Sequence, residues 1–506
     1  MSPVSDTMTR LRGRLAEVRD LDTITMTLIW DQQTMMPPGG GANRADQLAT
    51  LEHLRHEKGV SSEMERLLDE LDRDLDGMDP DSDDACLIRV TRRDFEKASL
   101  VPPDLKGDLA RAGSLGQEAW AKARESSDFA SFLPFLERLL ELKARYVECF
   151  AGRVDCAYDA LLDDFEPGAK TTEVAQLFTE LKGGLVPLIT AIGERVVPGA
   201  PGPLHGAYAR REQRQLALSA LAALGFEPGE WRLDEAAHPF AARCGWGDNR
   251  LTTRIDESYL GMALYSSLHE CGHGLYEAGV ASELSRTPLG TGASLGLHES
   301  QSRLWENIVG RSRPFCEWLL PRLAEHFAIP FGSMSPEDLF RTVNEVKPSL
   351  IRVEADETTY SLHVILRFEI EQELIEGGLA ARDVPDAWNA RMQSYLGVEV
   401  PDDANGVLQD VHWSAGLFGY FPTYALGNIM SAQIWERARA DLPAVDEQIA
   451  AGELGGLHEW LREHLYRHGR KFTPEETLRK VVGGPIAVEP YLNYLREKFS
   501  DIYGIA

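Results

Sequence analysis

Residues 267–279 read SLHECGHGLYEAG, and everything else in the chain is best read outward from the centre of that stretch, His269-Glu270-Cys271-Gly272-His273. On a helix, residues four apart share one face within about 6 Å, so the imidazoles of His269 and His273 can close on one small ion. Glu270 is turned about 100° from His269, near enough to reach a water beside that ion without replacing it as a ligand. Cys271 is turned about 200° and points away into packing. Histidine supplies only 13 of 506 residues, so chance would produce an H-E-x-x-H string in such a chain on the order of a few hundredths of a time. Glu277 stands one turn beyond His273. His269, His273 and Glu277 in a row nevertheless span about 12 Å of helix, against metal bonds of about 2 Å, so a third ligand has to come from another segment.

Before the motif, residues 236–257 carry β-branched Thr252, Thr253 and Ile255 after the turn residues Gly247, Asp248 and Asn249. This predicts a small sheet beside the site. After the motif, the Gly-rich PLGTGASLGLHES (288–300) predicts a loop leading into a second helix, SQSRLWENIVG. Helical periodicity dominates elsewhere. In SSEMERLLDELDRDL a capping box of Ser62 and Glu65 precedes Leu67, Leu68, Leu71 and Leu75 on one face. Breaks are predicted at 35–43, 76–84 and 196–206, where Pro, Gly or acidic runs interrupt the pattern. The prediction is a mainly α fold, one large catalytic body over 1–506.

Composition narrows the partners. The chain is 43% hydrophobic and 26% charged, enough to bury a large core. Its 80 acidic against 52 basic residues give a formal charge of −28, which repels nucleic acid and anionic membrane surfaces and disfavours acidic peptides. Six cysteines without a C-x-x-C pair suit free thiols, and no secretory signal or 18-residue apolar run is found, so a cytoplasmic location is expected.

Further motifs appear in order along the chain: HPF at His238–Phe240, D-x-R-x-T at Asp248, Arg250 and Thr252, HECGH, HESQS with Glu299, I-R-x-x-A-D at Ile351, Arg352, Ala355 and Asp356, and G-x-x-Q-D-x-H-W at Gly406, Gln409, Asp410, His412 and Trp413. Together with WDQQTMMPPGG (30–40) and FPTYALGN (421–428), they make the chain resemble the carboxypeptidase Taq family of metallocarboxypeptidases over nearly its whole length. The resemblance implies a helix-rich fold with a deep substrate groove, of which about residues 1–200 form one wall, and a homodimer. It implies one Zn2+ per chain held by His269, His273 and Glu299, and release of single amino acids from peptides with a free C-terminus.

Glu270 fits the general base, since it would take a proton from water and pass it to the leaving amine. His412 and Tyr420 fit donors to the oxyanion. Arg352 fits the substrate carboxylate, unless it pairs with Asp356 one turn on. His238, Asp248, Arg250 and Gln409 stand in the matched motifs as substrate-binding candidates. Asp248, Arg250 and Asp356 equally fit an internal salt-bridge network, and His298 a partner behind the ligands. The same donors accept Co2+ or Mn2+. Two alternatives stay open: an oligopeptidase or dipeptidyl carboxypeptidase with the same ion and a different groove end, and a non-catalytic helical binding protein.

Overall fold

The computed structural model describes residues 3–195 and 202–505. Helices make up most of them, from the 32-residue Pro3–Thr34 to Glu489–Tyr503. The predicted break at 35–43 is a 3-10 turn, Pro38–Gly40, opening directly into the helix Gly41–Gly59. The break at 76–84 ends as the helix Asp83–Leu100 begins. The break at 196–206 lies largely outside the described residues.

The helix Ser62–Leu75 buries Met64, Leu67, Leu68 and Leu71 as its periodicity requires. Its cap is not the predicted box of Ser62 and Glu65. Ser61 is the N-cap and accepts the Met64 amide at 3.3 Å, because Ser61 takes the extended backbone conformation that a cap needs and Ser62 is already helical.

The sheet has three strands, β1 (Trp231–Glu235), β2 (Ala241–Gly245) and β3 (Asp248–Thr253). Central β3 pairs parallel with β1 and antiparallel with β2. The sheet begins earlier than the predicted 236–257, since WRLDE buries only Trp231 and Leu233, too short an alternation to stand out.

Of three apolar clusters among the described residues, two position the site. The larger surrounds the helix Leu260–Gly279, which packs against β2, β3 and the helices Arg210–Ala223 and Leu295–Arg303. A smaller one joins Leu11, Leu15, Leu67, Leu71 and Ile88 to Val280, Leu284 and Phe472. The N-terminal helix is tied to the sheet by Trp30, whose ring lies between the guanidiniums of Arg232 and Arg250 at 4.5 and 4.3 Å. All six cysteines are free, and no helix among the described residues is long and apolar enough to cross a membrane.

Candidate metal centre and substrate groove

HECGH lies in the second half of the helix Leu260–Gly279, so His269 and His273 project from one face. The helix that meets them, Leu295–Arg303, starts at Leu295 behind an N-cap, Ser294. It therefore begins five residues earlier than the predicted SQSRLWENIVG, because Ser294 can cap and the Gly-rich loop ends there. The two helices touch at Gly272, where a Cβ would come within 2.4 Å of the Gln301 carbonyl oxygen. On the other side a Cβ on Gly427 would come within 2.7 Å of Glu299 Cβ, so two glycines allow the backbone of Glu299 its position.

The result is a convergence. Ligand atoms of His269, His273 and Glu299 all lie within 4.8 Å of one another. Glu299 Oε2 is 3.4 Å from His273 Nε2 and 3.8 Å from His269 Nε2. Each imidazole is held from behind. His269 Nδ1 meets Glu306 Oε2 at 2.8 Å, and His273 Nδ1 meets His298 Nδ1 at 2.6 Å. His298 Nε2 in turn meets Glu277 Oε1 at 3.0 Å. Glu277 also accepts from Thr291 Oγ1 and the Gly292 amide, and it supports the centre without joining it. Two inward imidazole nitrogens with fixed rings and one carboxylate oxygen fit a divalent ion.

The second helix continues as a π-helical turn, Leu304–Val309. Arg303 Nε bonds Glu299 Oε1 at 2.7 Å and its Nη1 reaches Glu306 Oε2 at 3.3 Å. Although burial opposes ionisation, Arg303 and His269 hold the Glu299 carboxyl well below the usual range. His269 resists burial because Glu299 and Glu306 flank it, and it is pushed up to about 9. Burial takes His273 down to about 4. Glu270 is nearly buried, and among the described residues no hydrogen bond to its carboxylate is found. Burial pushes that carboxyl up to about 7 against the pull of His269.

Beyond Glu299 stands a buried cluster of arginines and aromatics. Arg303 stacks on Tyr360 at 4.2 Å, and the Tyr360 hydroxyl accepts from Arg352 Nη1 at 2.8 Å. Arg352 Nε and Nη2 donate to Asp410 Oδ1 at 3.1 and 2.7 Å, and Arg367 Nε donates to Asp410 Oδ2 at 2.7 Å. Asp356 is not the partner of Arg352. It accepts instead from the amides of Lys347, Thr358 and Thr359 and anchors its own loop. Gln409 spends its amide on backbone: Oε1 accepts the Arg352 N–H at 2.8 Å, and Nε2 donates to the Leu350 carbonyl at 3.0 Å. His412 Nε2 meets the Tyr424 hydroxyl at 3.2 Å, and burial pushes the ring down to about 4, so it is neutral. The rings of His412 and Tyr420 are 5.2 Å apart.

The family model for carboxypeptidase Taq (M32) metallopeptidases matches residues 10–499. The chain belongs to this family. It is 41% identical to thermostable carboxypeptidase 1 of Thermus thermophilus, with 94% of each chain covered, and 37% identical to carboxypeptidase 1 of Bacillus subtilis at the same coverage. The crystal structure of the M32 carboxypeptidase from Deinococcus radiodurans superposes with a TM-score of 0.95 at 38% identity, over 99% of this chain and all of that one. The M32 chain described here is thus a metal-dependent carboxypeptidase.

In this M32 chain Asp248 and Arg250 form an ion pair with each other, at 2.8 and 2.7 Å, over Trp30. His238 is exposed between β1 and β2. Glu306, Arg303 and Arg367 are prominent at the site and stand in none of the motifs, while Tyr424 lies within FPTYALGN without being among the candidate site residues. The readable signal was spacing: Arg303 and Glu306 follow Glu299 by four and seven residues, and Tyr424 follows Tyr420 by four.

Behind the M32 metal helix lies another buried acid. Glu166 accepts the Gly296 amide at 2.9 Å at the start of Leu295–Arg303, and burial pushes its carboxyl up to about 7. A carboxyl whose folded pKa exceeds its unfolded value of about 4.3 costs nothing while both states are protonated, and destabilises increasingly as pH rises from there to about 7. Glu166→Gln is therefore expected to raise the unfolding free energy at pH 8 by roughly 3 kcal/mol and to leave it unchanged at pH 4. Thermal denaturation at the two pH values checks this; an equal shift at both would refute it.

Proposed function

We propose that the enzyme releases single amino acids from the free C-termini of peptides, with Zn2+ held by His269, His273 and Glu299, Glu270 as general base and Arg352 as the carboxylate-recognising residue. Two imidazoles and one carboxylate are the ligand set of many catalytic zinc sites, and Co2+ or Mn2+ would suit the same donors. The ion, when held, polarises the scissile carbonyl and makes a bound water more acidic. Glu270 has no competing hydrogen-bond partner among the described residues, so it is free to take the proton of the attacking water and hand it to the departing amine. Neutral His412 and the Tyr420 hydroxyl would be the donors to the oxyanion.

The observation that carries the direction of attack is the sharing of Asp410 by Arg352 and Arg367. One carboxylate between two guanidiniums leaves one positive charge without a counter-ion. Arg352 commits three of its five N–H groups to Asp410 and Tyr360, and two remain for a substrate carboxylate. Residues 1–200 would then form the opposing groove wall of a single catalytic body that works as a cytoplasmic homodimer.

Amidating a peptide's C-terminus is expected to lower kcat/KM by roughly a hundredfold or more, because a buried guanidinium loses its charged partner. In Arg352→Ala the free acid should become nearly as poor a substrate as the amide. Mass spectrometry of the digest should show steps of one residue. Equal cleavage of acid and amide by the wild type, or steps of two, would refute the reading and favour the dipeptidyl or oligopeptidase alternative.

A further inference from the structure

We infer that Arg19 and Arg243 form a subsite for an acidic side chain upstream of the scissile bond. A cleft of about 510 Å³ opens beside the metal centre, with Arg19, Phe165, Arg243, Glu277, Leu295 and His298 among its lining. It meets the centre through His298, which touches His273, whereas the Arg352 cluster meets it through Glu299, Arg303 and Tyr360. The two therefore approach the ligands from different sides. They join at Tyr420, whose ring is 5.0 Å from that of Phe165. A peptide with its terminal carboxylate at Arg352 would send its preceding residues past Tyr420 into this cleft. The inference rests on that reading of Arg352.

The charges in the cleft are unequally satisfied. Arg470 is matched bidentately by Asp94, and Arg250 by Asp248. Asp164, which also faces the cleft, is taken by Lys97 and Tyr146, each at 2.7 Å. Glu277 Oε1 already accepts from Thr291, Gly292 and His298, and Oε2 is 3.9 Å from Arg243. Arg243 otherwise donates to the Glu277 carbonyl and stacks on Trp246. Among the described residues Arg19 has one ion pair, with Asp22 at 3.4 Å, where Arg55 approaches the same carboxylate at 3.6 Å. It also lies near enough to Glu277 to favour that carboxylate, so Arg19 and Arg243 share Glu277 between them. Arg19 also disfavours the positive charge of Arg243, which burial already disfavours, so the two are close enough to repel. Two neighbouring guanidiniums short of anions, in a chain of net charge −28, make a local reversal of the surface field that a carboxylate would relieve. The preference for acidic upstream residues runs against the one that net charge alone predicts, because salt screens the distant surface and not a contact inside a cleft.

The test uses N-acetylated tetrapeptides that end in a common residue and differ by Glu, Gln or Lys at one upstream position at a time. At one such position kcat/KM should fall about tenfold from Glu to Gln and further to Lys, with the spread shrinking in 0.5 M salt. Arg19→Glu should invert the order, and Arg243→Lys, which keeps the charge, should preserve it. Circular dichroism shows that the variants are folded, and binding of the same peptides to Glu270→Gln, without turnover, should rank them alike. Equal rates for all three peptides, or an order that Arg19→Glu leaves untouched, would overturn the subsite while leaving the Arg352 reading intact. In a companion series varied only at the C-terminal residue, a charge preference that Arg19→Glu alters would overturn the direction of binding, and with it that reading.

Discussion

Glu270→Gln is expected to keep a full complement of metal and to lose at least about a hundredfold in kcat/KM. The substitution removes a base and leaves His269, His273 and Glu299 in place. Because the Glu270 carboxylate is nearly buried and has no hydrogen-bond partner among the described residues, an isosteric amide breaks no hydrogen bond seen there. Burial holds its carboxyl at about 7 in the folded chain against about 4.3 unfolded, so, as for Glu166, exchanging it for a neutral group should raise stability at pH 7 rather than lower it. Loss of activity without loss of stability is the signature of a group that works only in the transition state. Metal content by elemental analysis, with a melting curve, decides the matter. A variant that no longer holds its ion would show that Glu270 is a ligand.

Glu299→Ala is expected to empty the site under conditions where Glu277→Ala keeps most of its metal. Glu299 contributes an oxygen that meets both inward imidazole nitrogens, and among the described residues no second carboxylate lies within the same 4.8 Å grouping. Glu277 acts at one remove, through His298 on His273, and such supporting residues typically cost 10- to 100-fold in affinity. Competition with a chelator measures both variants on one scale. Equal losses, or a greater loss in Glu277→Ala, would reverse the roles assigned to the two glutamates.

Much of this centre is legible in the sequence, for a physical reason. Helical spacing fixes His269 and His273 relative to each other whatever the rest of the chain does, and the same geometry excludes Glu277 as a third ligand in the row. Glu299 came from the family motif, since no local rule brings residue 299 against residue 273. What stayed hidden was set by tertiary packing. Asp410 lies 58 residues from Arg352 and displaced the nearer Asp356, which the loop's own amides had claimed. The shift of the helix cap from Ser62 to Ser61 is a matter of one backbone conformation, and two adjacent serines offer the same chemistry to a sequence reader. Gln409 sits in a motif that resembles a substrate site, yet its hydrogen bonds show it fixing the backbone of Arg352.

The π-helical turn at Leu304–Val309 bears on how the protein can change over generations. Such a turn holds its chain in poorer hydrogen-bond geometry than a regular helix, so dropping a single codon there would give a tighter, better-formed segment. The deletion would also swing the residues after it by about 100° about the helix axis relative to those before it. Glu306 would leave His269, or Glu299 would leave His273, depending on which half of the helix kept its place. A descendant that repaired this fault would be more robust and inert, and lineages under selection for activity should accumulate substitutions around the turn and avoid deletions within it.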